Sequence, residues 1–141
     1  MSATLEVLST TECLDLLRQQ PIGRIGISID ALPVIFPVRY AVVGNGIMFR
    51  TNAGTKLAAA TNKAVVAFEV DSYEEDGQTG WSVVVQGIAS EVNDTGLHED
   101  FLKAPGGAWA VGGSAQHVVR IELHNITGRR FAAERTPTTG A

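Results

Sequence analysis

The stretch that decides the fold is residues 44–57, GNGIMFRTNAGTKL, in which a turn, a strand and the start of a helix follow one another. Gly44, Asn45 and Gly46 tolerate the positive φ angles that a tight hairpin turn requires. An apolar strand pattern covers residues 47–51, and a helix is expected to begin at Thr55. The stretch therefore predicts a β-hairpin whose second strand leads directly into a short helix.

The junction between this strand and this helix is rich in groups that bind anions. Arg50 and Lys56 carry positive charges, and Thr51 and Thr55 carry hydroxyls. The first backbone N–H groups of a helix have no partner inside the helix, so they also attract anions. A phosphate is the ligand we expect. The spacing is not that of a Walker loop or a dinucleotide-binding motif, so an ordinary surface turn with solvated cations stays open as the alternative.

Alternating apolar residues on both sides of this stretch predict further strands. We expect them at residues 23–29, 32–43, 64–70, 81–92 and 116–123, and a continuation of the last one to residue 131 stays open. Pro33 and Pro37 place the second of these at an edge or a bulge, because proline cannot donate to a ladder. Gly87 predicts a bend or bulge in the long strand. The acidic run 71–80 is expected to be an exposed loop.

Only short helices accompany these strands. Ser9 and Glu12 have capping-box spacing ahead of a helix that must stop before Pro21, residues 55–61 form the second, and Asp94 caps a weak third helix to residue 103. Six strands with short helices predict a mainly β protein, a closed antiparallel barrel, rather than alternating βαβ units. We expect one domain over residues 1–132 and a flexible tail over residues 133–141.

The composition limits the classes of partner. The chain has 141 residues, a net charge of −4 and 45% hydrophobic residues, so we expect no nucleic-acid partner, and the phosphate should belong to a small cofactor. The high apolar content also suits a subunit interface. Cys13 is the single cysteine, which excludes an intrachain disulfide. Without a signal peptide or a membrane-spanning run, we expect a cytoplasmic protein with no membrane partner.

Four other residues are candidate ligand contacts. Arg39, in an apolar strand beside Tyr40, would stabilise an electron-rich ring or carbonyl, although an edge-strand arginine in water is the commoner case. Trp81 would form the wall of a flat ligand site and Ser82 would bind the ligand's edge, but a tryptophan at a strand start more often belongs to a core or an interface. Trp109 stands in a glycine-rich segment, where covering a ligand or a partner subunit would explain it.

The residues offer no catalytic machinery of their own. His98, His117 and His124 lack the spacing of metal ligands, so we expect no metal site. No nucleophile stands beside a base in a recognisable motif. If the protein is an enzyme, a bound cofactor must carry the chemistry.

Taken in order, four motifs resemble the pyridoxamine 5′-phosphate oxidase-like proteins, which are FMN-binding split β-barrels, and in particular the short actinobacterial members. The motifs are residues 23–26 (GRIG), 37–40 (PVRY), 49–57 (FRTNAGTKL) and 80–87 (GWSVVVQG). The resemblance implies a six-stranded, Greek-key-like split barrel. It also implies a homodimer with two FMN sites at the subunit interface.

The resemblance assigns roles to individual residues. It implies that Arg50, Thr51, Thr55 and Lys56 hold the FMN phosphate and ribityl end. The other implied cofactor-binding residues are Val38, Arg39 and Tyr40 along the isoalloxazine, Ser82 at a polar flavin contact, and Phe49, Leu57, Trp81 and Trp109. His117 and Arg120 are implied to help Trp109 close the site from the partner subunit.

The expected activity is that of an FMN-dependent oxidoreductase that passes hydride or electrons between the flavin and a small substrate. An F420-dependent reductase of the same fold is the alternative, as is a flavin or haem carrier without turnover. The chain does not reproduce the substrate-binding tryptophan, arginine and histidine of true pyridoxamine phosphate oxidases, so activity on a vitamin B6 phosphate is not implied.

Overall fold

Antiparallel strands make up most of the protein, whose structure is a computed structural model describing residues 3–52, 56–105 and 116–133. The strands are β1 Ala3–Val7, β2 Ile22–Ile29, β3 Leu32–Val43, β4 Gly46–Asn52, β5 Ala64–Tyr73, β6 Thr79–Glu91, β7 Gln116–Glu122 and β8 Asn125–Ala133. The helices are α1 Thr10–Leu17, α2 Lys56–Ala60 and α3 Thr95–Lys103. The prediction of a mainly β protein with short helices is confirmed.

Six of the strands close into a barrel in the order β6-β5-β2-β3-β4-β7, with β7 pairing back onto β6. The first part of β6, residues 79–86, pairs instead with β8, and β1 extends the sheet beyond β8. The predicted six-stranded antiparallel barrel is therefore confirmed. The sequence did not predict β1, and it did not separate β8 from β7.

The strands are strongly tilted around the barrel axis. Starting at Ser82 and following the ladder registers once around the barrel leads to Val92, ten residues further along β6. The positions on this path are Ser82, Asp71, Ile22, Arg39, Arg50, Val118 and Val92. Such a shear in a barrel of only six strands leaves an interior that side chains fill completely.

Apolar side chains are buried on both the inner and the outer side of β4. Ile47 and Phe49 point into the barrel and are fully buried. Met48 points outward, where it is also fully buried in a second cluster that includes Phe101 of α3. Asp94 caps α3 as predicted, accepting from the N–H groups of residues 96 and 97 at 2.7 and 3.2 Å. Helix α3 thus covers one outer face of the barrel.

The local signals for turns and caps proved accurate. Ser9 and Glu12 form the predicted capping box of α1. Val43 pairs with Gly46 across the predicted hairpin turn, in which Gly44 has a φ of 55°. The proline-containing part of β3 pairs with β2 alone among the described strands, as expected of an edge.

Two predictions about β5 and β6 were wrong. Residues 71–80 are not one loop: the two strands continue to the Tyr73–Gly80 pair, and only residues 74–78 connect them. Asp71 is compatible with a strand end because it lies on the outer face, where Arg24 Nη1 is 3.4 Å away. Of the bend or bulge predicted at Gly87, a bulge in the β5–β6 ladder is wrong, since that register is continuous through Gly87. A Cβ at Gly87 would lie 1.7 Å from the Glu122 carbonyl oxygen, so close approach of the chain requires the glycine.

Candidate functional site

Strands β3 and β4 separate at the Tyr40–Phe49 pair. Their ladder extends from Val43–Gly46 to that pair and ends there, although both strands continue. Arg39 and Arg50 would form the next pair in register. We call this opening, flanked by Arg39 and Arg50, the split. Because residues alternate along a strand, both arginines are on the outer side of the barrel, opposite the inward-facing Tyr40 and Phe49.

The Arg50 guanidinium is held against α3. Its central carbon lies 5.7 Å from the centroid of the Phe101 ring, a distance at which a cation is attracted to the face of an aromatic ring. Phe101 is 1% exposed and therefore well fixed. The packing of α3 on the barrel thus positions a cation at the end of β4.

A cleft of about 260 Å³ lies on the β3 side of the split. Its lining consists of Arg18, Gln19, Gln20, Pro21, Arg39, Tyr40 and Pro105. Arg18 also forms an exposed ion pair with Asp15 at 3.4 Å. The cleft therefore brings a second guanidinium, which the sequence reasoning did not select, close to Arg39. In the sequence, the position of Arg18 just after α1 and before Pro21 gives only a weak indication that it lines a cleft.

The side chains of Val38, Tyr40 and Phe49 pack in the barrel core rather than on its outer face, although Tyr40 also borders the cleft. Tyr40 is 3% exposed, donates a hydrogen bond to the Leu17 carbonyl, and packs edge-on against Phe68. Burial raises the pKa of Tyr40 far above its usual value, so the hydroxyl stays protonated. Within a single chain, these three residues can therefore contact a ligand outside the barrel only through their backbone atoms.

At the end of β4, Thr51 lies opposite His117 of β7. The His117 Nδ1 atom is 3.1 Å from a carboxylate oxygen of Glu91 on β6. The His117 side chain is 14% exposed, and its Nε2 atom is buried with no hydrogen-bond partner among the described residues. Sequence reasoning named His117 but missed Glu91, because their contact depends on the pairing of β6 with β7.

Trp81, Ser82 and Arg120 are not at the split within one chain. Ser82 lies three strands from Arg39 in the row of registered positions, about 14 Å across the sheet at ~4.8 Å per strand. Trp81 packs partly against the barrel core. The Arg120 guanidinium lies over Gly46, at the hairpin end of β4, and its Nη1 atom is 3.6 Å from Glu122.

Four of the predicted cofactor-binding residues cannot be placed with their side chains. Thr55 and Trp109 lie outside the described residues, and so do the side chains of Lys56 and Leu57. Of the predicted tail over residues 133–141, Ala133 is the last residue of β8, and the rest also lies outside the described residues. Helix α2, with five residues, is slightly shorter than predicted.

A second group of charged residues lies on the outer face of β2 and β5. Arg24 Nη1 is 3.1 Å from Glu69 and 3.4 Å from Asp71. Burial and the neighbouring Asp71 carboxyl raise the pKa of Glu69 to about 7, against the opposing effect of Arg24. This cluster was not predicted, because residues 71–80 were expected to form a loop rather than to extend β5.

The other two histidines have partners within the chain, and the described ranges were also compared with what a metal site or a membrane-spanning helix requires. His98 Nε2 lies 2.7 Å from the Val92 carbonyl, and His124 is an exposed partner of Glu122 at 3.5 Å. No group of three histidine, cysteine, aspartate or glutamate side chains there could hold a metal ion. None of the helices in those ranges has the length and apolar character that crossing a membrane would require.

The chain is similar to known proteins over nearly its whole length. A sequence model described as pyridoxamine 5′-phosphate oxidase matches residues 9–130. An uncharacterised protein of Mycobacterium tuberculosis is 35% identical over 139 residues, 92% of this chain and 88% of that protein. A structure described as the FAD binding protein from Mycobacterium smegmatis is 35% identical, with a TM-score of 0.71 over 90% of this chain and 98% of that one.

A third similarity concerns the fold alone. A FAD-binding protein from Mesorhizobium loti has a TM-score of 0.76 over 93% of this chain and 99% of that chain, at 23% identity. The same barrel is therefore kept at low sequence identity.

Proposed function

We propose a function from one premise: the chain belongs to the pyridoxamine 5′-phosphate oxidase family. The split binds a flavin nucleotide, FMN, through its phosphate, and the protein is an oxidoreductase. When bound, the flavin supplies the hydride and electron chemistry for a small substrate. The chain binds the cofactor, orients it and shields it from water.

The observation that carries this proposal is the placement of Arg39 and Arg50 on the two strands that separate at the split. A phosphate ester is doubly negative near neutral pH, and guanidinium groups bind it through paired, charge-assisted hydrogen bonds. Phe101 fixes Arg50 from the α3 side, and Thr51 follows it at the end of β4. The residues present therefore fit a phosphate, with Lys56 and Thr55 expected to complete the set.

The outer face beside the split suits a flat ring. Ile22 and Ile35, on β2 and β3, are 48% and 72% exposed. An elongated ligand anchored at Arg50 and laid over β3 and β2 would extend toward Ser82 along the row of registered positions. This direction is consistent with a polar flavin contact at Ser82, and Arg39 would then lie beside the ring, where a cation stabilises negative charge on the reduced flavin.

FMN is the form that we expect, because one compact group of cations matches one phosphate. FAD contains the same riboflavin phosphate, and the Mycobacterium smegmatis relative at 35% identity is described as FAD-binding, so FAD is the next candidate. F420 remains the alternative outside the flavin nucleotides, but its polyglutamate tail favours a more basic protein than one with a net charge of −4.

A homodimer is the expected assembly. Ile22, Ile35, Val65 and Ile88 are exposed by 42% or more on the outer face of the barrel, and a second copy would cover such a face. Sedimentation or light scattering at micromolar concentration tests this. A monomeric mass would contradict it.

The decisive experiment is an absorption spectrum of the purified protein, with mass spectrometry of the compound that it releases on denaturation. A flavin spectrum and the mass of FMN are expected. A colourless protein that binds neither FMN, FAD nor F420 when they are added would reject the proposal.

A carrier without turnover is the second candidate function. None of the described residues that line the cleft is a carboxylate or a histidine, so no acid–base group there points to a reaction. The test is reduction of the bound flavin by NADPH, NADH or reduced F420, followed by reoxidation with an added acceptor. Inertness toward every donor would favour the carrier of flavin or haem.

A further inference from the structure

The connection between α1 and β2 is tied to β3 at both of its ends, in each case by Tyr40. The Tyr40 hydroxyl donates a hydrogen bond to the carbonyl of Leu17, where α1 ends. The Tyr40 backbone N–H donates to the Pro21 carbonyl at 3.4 Å. The three residues between these two contacts all line the cleft, and we call them the cleft segment: Arg18, Gln19 and Gln20. One wall of the cleft is thus held in place by the strand beneath it.

The cleft favours a ligand with an anionic group. Among the described residues that line it there are two guanidinium groups and no carboxylate. Arg18 supplies one guanidinium from the cleft segment, and Arg39 supplies the other from β3. The amides of Gln19 and Gln20 add further N–H donors. Charge-assisted hydrogen bonds from such donors to an anion are the strong ones.

The ion pair of Arg18 with Asp15 does not prevent this role. Asp15 does not line the cleft, and its carboxylate lies 3.4 Å from Arg18 Nη1, with the two side chains 51% and 66% exposed. Water screens an ion pair that is this exposed, so the pair contributes little free energy. Arg18 can therefore turn from Asp15 to an anion in the cleft at small cost.

The number of cations indicates a carboxylate rather than a second phosphate. Arg39 borders the split as well as the cleft, and the proposed function assigns it to the flavin. Arg18 then remains as the guanidinium that only the cleft uses, and its planar fork matches the two oxygens of one carboxylate. The cleft of about 260 Å³ lies just below the ~300–1,000 Å³ that is usual for small-molecule sites, so the ligand must be small.

We propose that the cleft is the substrate site and that Arg18, together with the amides of Gln19 and Gln20, binds a carboxylate group of the substrate. This rests on the proposed function, because the cleft adjoins the split and Arg39 borders both. The substrate class is accordingly a small carboxylic acid. Arg18 determines specificity by binding, and the redox chemistry belongs to the flavin.

The test compares three probes that carry different groups on one benzene ring: benzoate, the neutral benzamide, and phenyl phosphate. Dissociation constants are measured by isothermal titration calorimetry on the full chain with FMN bound. Arg18→Gln removes the cation, whereas Asp15→Asn removes the same ion pair and keeps the cation. Arg130→Gln is the matched control, because Arg130 is 43% exposed and pairs with Glu6 and Glu12 without lining the cleft.

The wild type should bind benzoate at least roughly tenfold more tightly than benzamide, the value of one charged hydrogen bond. Arg18→Gln should abolish this preference, and Arg18→Lys should recover part of it. Asp15→Asn and Arg130→Gln should keep benzoate binding within about threefold of the wild type. Equal binding of benzoate and benzamide by the wild type would overturn the proposal. Equal losses in Arg18→Gln and Asp15→Asn would also overturn it, since they would indicate a structural role of the ion pair.

The third probe tests the choice of anion. With FMN bound, phenyl phosphate should bind less tightly than benzoate, because Arg18 alone faces a doubly charged group. Tighter binding of phenyl phosphate would overturn the assignment to a carboxylate.

Two further measurements separate this inference from the proposed function. The dissociation constant of FMN for Arg18→Gln should stay within about twofold of the wild type, and a larger loss would place Arg18 in the cofactor site instead. If the protein binds no flavin, the same calorimetry on the flavin-free chain decides on the cleft alone. A preference for benzoate that Arg18→Gln abolishes would then keep the carboxylate site while the flavin function fails, and no preference would reject both.

Discussion

The barrel has two places where neighbouring strands meet in contrasting ways. At the closed seam, which we define as the pairing of β6 with β7 and the contact of Gly87 with Glu122, the chains approach so closely that a single Cβ does not fit. At the split, β3 and β4 part after Tyr40–Phe49 and leave a cleft of about 260 Å³. The closed seam completes the barrel, and the split provides the room and the charges for a ligand.

A third seam lies between these extremes. Strands β2 and β5 pair at three positions, and the ion pairs of Arg24 with Glu69 and Asp71 reinforce them. The comparison predicts that substitutions at the closed seam act on folding, that those at the split act on ligand binding, and that those in the third seam act weakly and depend on pH.

The largest effect is expected from Gly87→Ala at the closed seam. The added Cβ would meet the Glu122 carbonyl oxygen at 1.7 Å, and the backbone would have to shift, at a cost of ~3 kcal/mol, the upper end of the usual range for overpacking. Urea unfolding measures the loss. Gly26→Ala is the matched control, because its nearest contact would be 3.8 Å; it should stay within ~1 kcal/mol of the wild type. Equal behaviour of the two variants would contradict the tight closure.

Arg50→Ala combined with Lys56→Ala should remove the flavin from the split without unfolding the protein. Loss of two charged contacts to a phosphate should weaken FMN binding roughly 100-fold or more, about 2.7 kcal/mol. The spectrum of the purified variant and its circular dichroism check both parts. Lys63→Gln with Lys103→Gln changes the net charge equally and should keep the flavin. Stoichiometric flavin in the double alanine variant would refute the assignment.

Tyr40→Phe tests whether the hydrogen bond of the Tyr40 hydroxyl stabilises the edge of the split. The variant removes the hydrogen bond to the Leu17 carbonyl and leaves that buried acceptor without its donor, at a cost of ~1–2 kcal/mol. Tyr73→Phe, at a tyrosine that is 52% exposed, should cost little. Denaturant unfolding reports stability and a flavin titration reports binding. If flavin affinity fell while stability was unchanged, the hydroxyl would face the ligand instead.

Glu69→Gln should have the smallest effect, and it should vary with pH. Burial and Asp71 raise the pKa of Glu69 to about 7 in the folded protein, whereas an unfolded glutamate titrates near ~4.3. The folded state therefore holds an extra proton between these values. The stabilisation from this group is complete below about pH 4 and is lost as the pH rises to about 7.

The variant lacks this pH dependence. The unfolding free energy of the variant, relative to that of the wild type, should therefore increase as the pH rises from 5 to 8. The gain should be below ~1 kcal/mol, because the cluster is partly exposed. Glu74→Gln, in the exposed β5–β6 turn, is the control. A difference between Glu69→Gln and the wild type that does not change with pH would contradict the role of Asp71 and burial.

Local signals in the sequence were sufficient for most of the elements. The bounds of β3, the Gly44 turn and both helix caps follow from residues close together in the chain. Strand β1 was missed because it is short, and its side chains at Leu5 and Val7 are 59% and 78% exposed. The partner of β1 is β8, more than a hundred residues away, so no neighbouring residues in the sequence predict this strand.

The site was only partly predictable for a related reason. Strand β3 carries apolar residues on both faces, so alternation alone did not show that Val38 and Tyr40 face the core while Ile35 and Arg39 face outward. The contact of Glu91 with His117 likewise needs the closure of β6 on β7. Arg50 and Thr51 were identifiable because they adjoin a turn, whereas the end of the β3–β4 ladder depends on the whole barrel.

The ten-residue shear closes the barrel tightly and so sets different requirements for its inward-facing and outward-facing residues. Since the lumen is packed with side chains, the proposed cofactor would have to lie on the exterior. Inward-facing and outward-facing positions of one strand therefore meet different requirements. A substitution at Phe49 would act on the packing of the core, whereas one at its neighbour Arg50, the proposed phosphate contact, would act first on the ligand. On this plan the proposed ligand contacts could change while the interior of the barrel stays as it is.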